Sequence, residues 1–191
     1  MLITEMLARN ARMYGDETAL IERDPAAGKR VAITWQQFDG MAGRIANALI
    51  RAGVKKGDRV VQLMMNCIEW LPVYFGILRA GAVCVPLNFR FQEDDISRCV
   101  RLSEARLLIF GAAFIERVDA AKSEMDQWVD TYVYIGAEAE RPPYALSLDA
   151  FLGPATSQCP DVDISLCDGA GIYFTSGTTG KPKGVYLLHR H

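Results

Sequence analysis

What most constrains this chain is a set of short apolar runs that never alternate with polar residues. Residues 59–65 (RVVQLMM), 82–85, 106–110 and 131–135 each read as a strand of this kind. Such a strand has no wet face, so both of its sides must be covered. Helical patterns fill the intervals. Thr34 followed three residues later by Gln37 is a capping-box pattern, and Phe38, Met41, Ile45 and Leu49 then recur at helical spacing up to a stop at Gly53. Asn66 is placed to cap a second helix running to Ala80 and closed by Gly81; residues 93–103 and 112–127 read as further helices. Strands and helices in succession predict an α/β fold, a mainly parallel sheet covered on both faces. Right-handed crossovers make that a Rossmann-like three-layer sandwich. Residues 137–168 lose the pattern and read as a surface connection with one short helical turn at 146–152.

Composition narrows the chemistry. With 191 residues, 50% of them hydrophobic and 23% charged, the chain is long enough for one well-cored domain. A net charge of −2, spread along the sequence, leaves no basic footprint for nucleic acid. The five cysteines are odd in number and no two sit at C-x-x-C spacing, so they are expected to be small buried hydrophobes in a reducing cytosol. The two histidines, His189 and His191, stand at the end of the sequence and leave little material for a catalytic triad or a histidine metal centre. Charge appears by Glu5, too early for a signal peptide, and the greasiest stretch (70–87) is broken by Pro72, Arg79 and Pro86, so no transmembrane segment is expected. The expected location is the cytoplasm.

One segment carries chemistry. Strand-like residues 171–175 and 185–188 flank a loop, and the nine residues from Thr175 to Lys183 hold four hydroxyl side chains, two glycines and two lysines. Glycine lets backbone N–H groups approach an anion closely, hydroxyls add donors, and a lysine offsets phosphate charge. The Walker pattern fails, because Thr175 stands where its first glycine belongs and Pro182 where its Ser or Thr belongs. The dinucleotide fingerprint fails as well, since 169–174 ends in Phe174 and no helix follows. The residues alone leave two readings open: a triphosphate cradle, or a solvated hairpin whose Gly and Thr serve only as turn residues. With little to bury, 176–181 is expected to be mobile without ligand.

The run TSGTTGKPKGV at 175–185 resembles the phosphate-binding signature of the adenylate-forming (AMP-binding) superfamily of acyl-CoA synthetases, luciferases and peptide-synthetase adenylation domains. The resemblance extends upstream in the right order: ITWQQF at 33–38, GVKKGDRV at 53–60, GILRAGAVCVPLN at 76–88 and SEAR at 103–106. "PLN" and "SGTTG" are similar to the acyl-CoA synthetase and fatty-acid–CoA ligase branch rather than to peptide-synthetase domains.

The resemblance implies a ligase that joins a small-molecule carboxylic acid to coenzyme A through an acyl-adenylate, consuming ATP in the presence of Mg2+. It implies that Thr175, Ser176, Gly177, Thr178, Thr179 and Lys183 contact the β- and γ-phosphates, with Lys181 left to solvent, and it names no metal ligand. The superfamily's later motifs, including those of the C-terminal lid domain, do not occur in these 191 residues. Residues 1–191 are therefore expected to be an incomplete N-terminal AMP-binding domain, inactive alone; the alternative is a short non-catalytic nucleotide-binding or interaction module. Residues 185–188 are expected on an exposed edge through which the isolated chain self-associates.

Overall fold

The computed structural model describes residues 1–26, 28–175 and 182–191. In chain order the elements are α1 (Ile3–Met13), β1 (Thr18–Asp24), β2 (Lys29–Thr34), α2 (Trp35–Arg51), β3 (Arg59–Leu63), α3 (Trp70–Arg79), β4 (Val83–Pro86) and α4 (Glu93–Ser103). There follow β5 (Leu107–Gly111), α5 (Ile115–Met125), β6 (Thr131–Ile135), β7 (Leu146–Ser147), α6 (Leu148–Leu152), β8 (Gly169–Thr175) and β9 (Lys183–Leu188).

Seven strands form one sheet in the order β7-β6-β5-β3-β4-β8-β9, and every pairing is parallel except β8 with β9. The unalternated strands are buried on both sides, as their sequence demands. Val61, Leu63, Leu108, Phe110, Tyr132 and Tyr134 pack with Ile96, Val100, Val118 and Met125 of α4 and α5. Val60, Leu107, Ile109 and Val133, one position out of phase, pack with Ile45, Leu49, Val73 and Ile77 of α2 and α3. Period-two alternation thus divides each strand between two apolar layers, and the expected three-layer α/β sandwich is the observed one.

Several local expectations are met in detail. The Gln37 N–H donates to Thr34 Oγ1 at 3.2 Å while the Thr34 N–H donates to Gln37 Oε1 at 2.8 Å, completing the capping box of α2. The helices α2 and α3 approach so closely at Gly76 that a Cβ there would lie 2.5 Å from Ile45 Cγ2. Gly81, at φ +73°, turns the chain from α3 into β4. Arg79, its side chain 1% exposed, spans the same helix pair, donating to the Asp39 carbonyl at 2.9 Å and pairing with its carboxylate.

Other expectations are corrected. Asn66 does not cap α3, which begins at Trp70 after Glu69. The Ile68 N–H is taken by the Glu22 carboxylate of β1 at 2.7 Å, and Pro72 belongs in a first turn, where its missing N–H costs nothing. Residues 112–127 divide into a 3-10 turn (Ala112–Phe114) and α5. The 137–168 stretch contributes β7, paired with β6, and α6, whose Phe151 and Leu152 are buried. Its remainder is strapped along α2: Asn47 Nδ2 donates to the Thr156 and Gln158 carbonyls at 3.0 and 2.7 Å, and Lys56 Nζ to the Asp163 carbonyl at 2.7 Å. Gly43 makes room, since a Cβ there would meet the Ser157 carbonyl oxygen at 2.1 Å. The antiparallel hairpin β1–β2 and α1, with Leu7, Phe38 and Ala42 in a small third cluster, had no counterpart in the sequence reading.

Candidate phosphate-binding site

The signature segment is placed by β8 and β9. The two strands pair from Gly169 opposite Leu188 to Thr175 opposite Lys183, with one irregularity between Gly169 and Gly171. This bulge resets the alternation. Ala170 packs with the α2–α3 layer, whereas Ile172 and Phe174 pack with the α4–α5 layer. Glycines accommodate the rings nearby: a Cβ at Gly169 would fall 1.9 Å from the Tyr186 hydroxyl, and one at Gly184 would fall 2.9 Å from Ile172 Cγ2.

Of the residues named from the sequence, Thr175 and Lys183 are described, and both are exposed. They are Cα partners at the carboxyl end of β8, the edge at which ligands meet open α/β sheets. Among the described residues Lys183 makes no ion pair, so its charge is available to a ligand. Ser176, Gly177, Thr178, Thr179 and Lys181, with the expectation of mobility for 176–181, lie outside the described residues. The expected exposure at 185–188 is met in part: Val185 is 47% and Tyr186 53% exposed on the edge strand β9, while Leu187 and Leu188 are half-buried.

A tyrosine pair with no signal in the sequence stands behind the strand end. The hydroxyls of Tyr74 on α3 and Tyr173 on β8 share a hydrogen bond of 2.7 Å. Burial pushes both phenols above their ordinary range, so both remain neutral near pH 7. The residues are 99 positions apart, and no local spacing rule connects them.

A separate cleft of about 750 Å3 opens at the carboxyl ends of β3, β5 and β6, where the strand order reverses between β3 and β5. It is closed on one side by Glu22 and Lys29 of the hairpin and floored by Met64, Gly111 and Tyr134; neither Thr175 nor Lys183 lines it. The sequence reading missed this cleft because the hairpin that walls it was itself not foreseen. Among the described residues no group of three or more His, Cys, Asp or Glu side chains could hold a metal ion. No described helix is long and apolar enough to cross a membrane.

A mainly parallel α/β sandwich whose strand order reverses at the carboxyl edge of the sheet is the class of fold that commonly takes its ligands at that edge. The particular family follows from comparison: the AMP-binding enzyme model matches residues 7–191, and the chain belongs to that family. It is 35% identical over 159 residues to the long-chain-fatty-acid–CoA ligase FadD13 of Mycobacterium tuberculosis, covering 83% of this chain and 30% of that protein. It is 32% identical over 180 residues to the 3-hydroxybenzoate–CoA/4-hydroxybenzoate–CoA ligase of Thauera aromatica, covering 94% of this chain and 33% of that one. The fold superposes on the anthranilate CoA ligase AuaEII, solved in complex with anthranoyl-AMP, with a TM-score of 0.90 at 26% identity over all of this chain and 35% of that one. The chain therefore spans about a third of the length of these relatives.

Proposed function

We propose that residues 1–191 are an N-terminal part of an ATP-dependent acid–CoA ligase and that the segment from Thr175 to Lys183 is its phosphate-binding loop. The observation that carries this reading is the facing of Thr175 and Lys183, both exposed and the lysine unpaired among the described residues, at the mouth of the segment TSGTTGKPKGV. The CoA-ligase relatives support it.

In the proposed reaction a carboxylate oxygen attacks the α-phosphorus of ATP and pyrophosphate leaves. Coenzyme A then attacks the acyl carbon and AMP departs. A free carboxylate is a poor electrophile, and adenylation supplies the leaving group it lacks. The contribution of this chain is position and charge. Thr175, Ser176, Thr178 and Thr179 offer hydroxyl donors, Gly177 admits the backbone to the phosphates, and Lys183 offsets charge gathering on the leaving pyrophosphate. Mg2+ accompanies ATP in such reactions, usually held by one or two carboxylates and the phosphates themselves. The described residues offer it no cluster of ligands, and no step is assigned through it.

The same reading places the protein in the cytoplasm and leaves the identity of the acid to the remaining two-thirds of a relative-length chain. Its test is ATP–pyrophosphate exchange, assayed against a panel of aliphatic and aromatic acids in a protein extended to the length of its relatives. Acid-dependent exchange slowed about a hundredfold by Lys183→Ala is the expected result. Exchange indifferent to Lys183 would overturn the assignment of the loop.

A further inference from the structure

The strand that delivers the loop is unevenly supported. On one side β8 pairs with β9 as far as Thr175 opposite Lys183, but on the other its only registered partner in β4 is Gly171 opposite Cys84. In that register β4 ends at Pro86 beside Tyr173, and the residues of β8 beyond Tyr173 run on with a strand on one side alone. Among the described residues a single side-chain hydrogen bond joins this projecting end to a helix, the 2.7 Å bond between Tyr173 and Tyr74.

Both partners are held for that contact. A Cβ at Gly171 would lie 2.7 Å from Tyr173 Cε2, so the tyrosine lies back over a residue that has no side chain to displace it. Tyr74 is stacked on Trp70, with ring centroids 5.7 Å apart and planes 11° from parallel. The Trp70 carbonyl accepts from Gln62 Nε2 of β3 at 2.8 Å, and Gln62 Oε1 accepts from the Cys84 thiol of β4 at 3.5 Å. The bond is thus the last link in a buried path from β3 and β4 through α3 to the end of β8.

We propose that Tyr74 is a positioning residue for the phosphate-binding loop: through Tyr173 it anchors the carboxyl-terminal end of β8 to α3 and so sets where Thr175 and Lys183 meet phosphate. The proposal rests on the phosphate-binding reading given above. It extends the site to a helix about 100 residues upstream.

The test uses the 191-residue chain and inorganic tripolyphosphate, followed by titration calorimetry, with amide hydrogen exchange of the β8 and β9 segments as a second readout. Tyr74→Phe removes one oxygen and keeps the ring. It is expected to weaken tripolyphosphate binding about three- to tenfold, the scale of one lost hydrogen bond. Exchange in β8 should quicken while α4 and α5 stay unchanged and the melting temperature falls by no more than a few degrees. Tyr173→Phe should do the same, and the double variant should be no weaker than either single one, because all three remove the same bond. Lys183-dependent binding that Tyr74→Phe leaves intact overturns the positioning role alone. A wild-type chain that does not bind tripolyphosphate overturns the phosphate-binding reading and this proposal with it.

Discussion

Thr175 and Lys183 face each other as the last paired residues of β8 and β9, so the signature segment leaves and re-enters the sheet at one rung of the ladder. Directly opposed residues on a strand pair have Cβ atoms about 5 Å apart. From that spacing the Thr175 hydroxyl and the Lys183 ammonium, unpaired among the described residues, are within reach of one phosphate group. In a protein of its relatives' length, Lys183→Ala is expected to slow ATP–pyrophosphate exchange about a hundredfold, the effect of removing one preorganised contact to developing charge. Lys181→Ala should change the rate far less. Equal losses for the two variants, read from the same exchange assay, would refute the distinction.

The contact between Gly76 and Ile45 makes a prediction about stability. A Cβ at position 76 would sit 2.5 Å from Ile45 Cγ2 and 3.1 Å from the Ala42 carbonyl oxygen, and a backbone oxygen cannot step aside. Gly76→Ala should force α2 and α3 apart and cost about 1–3 kcal/mol in urea denaturation. Combining it with Ile45→Gly should cost less than the sum of the two, because the second change removes both obstructing carbons, Cγ2 at 2.5 Å and Cβ at 2.7 Å. Strict additivity would mean that the helices do not meet at this point.

Arg79 and Asp39 are a charge pair inside the same interface. The arginine side chain is 1% exposed while the carboxylate is 27% exposed, so the arginine depends on its partner for compensation. Asp39→Ala is expected to destabilise the chain by about 3 kcal/mol, the low end for stripping the partner from a buried charge. Arg79→Met, which removes the charge and keeps the volume, should cost less. Chemical denaturation of both variants checks the order, and the reverse order would show that Arg79 is stabilised by something other than Asp39.

The expectation that the cysteines are buried holds for Cys84 and Cys99 and fails for Cys159 and Cys167, which lie at the surface of the 137–168 connection. Cys159 and Cys167 are exposed, whereas burial raises the Cys67 and Cys99 thiols to about 12 and lifts buried Cys84 as well. Iodoacetamide at pH 8 should alkylate the first two and spare the other three until the chain unfolds, as intact mass would show. The raised thiols also fix a direction with pH. The folded chain keeps protons that the unfolded chain releases, so their contribution to stability is complete below the ordinary thiol value of 9.0 and is lost as pH rises from there towards about 12. A melting temperature that climbs across that range would contradict the assignment.

The edge strand β9 carries Val185 and Tyr186, each about half exposed. An unpaired edge with apolar side chains is a template for another chain. The isolated 191-residue protein should self-associate with rising concentration, and Tyr186→Lys should suppress it; light scattering reads both. A wild-type chain monodisperse at millimolar concentration would contradict the expectation.

What the sequence determined by itself is what short spacings control. Thr34 and Gln37 lie one helical turn apart and make their capping box without help from the rest of the chain. The unalternated runs of β3, β5 and β6 require two covered faces whatever covers them, and that requirement was enough to read the three-layer α/β sandwich. Gly81 turns the chain because its φ of +73° is cheap only for glycine. The motif at 175–185 is legible for the same reason, as a run of small and charged residues adjacent in the sequence.

Only the tertiary structure decided the rest. Asn66 has the chemistry of a helix cap, yet Glu22 of a distant hairpin takes the Ile68 N–H and the helix starts at Trp70. The place of 146–147 in the sheet depends on β6 offering an edge. The bulge beside Ala170 shifts β8 so that Tyr173 can meet Tyr74, 99 residues away. Local rules set the conformational preference of each segment, but a buried N–H, an open strand edge or an unpaired hydroxyl takes whichever partner the packed chain brings within about 3 Å. That choice belongs to the fold as a whole.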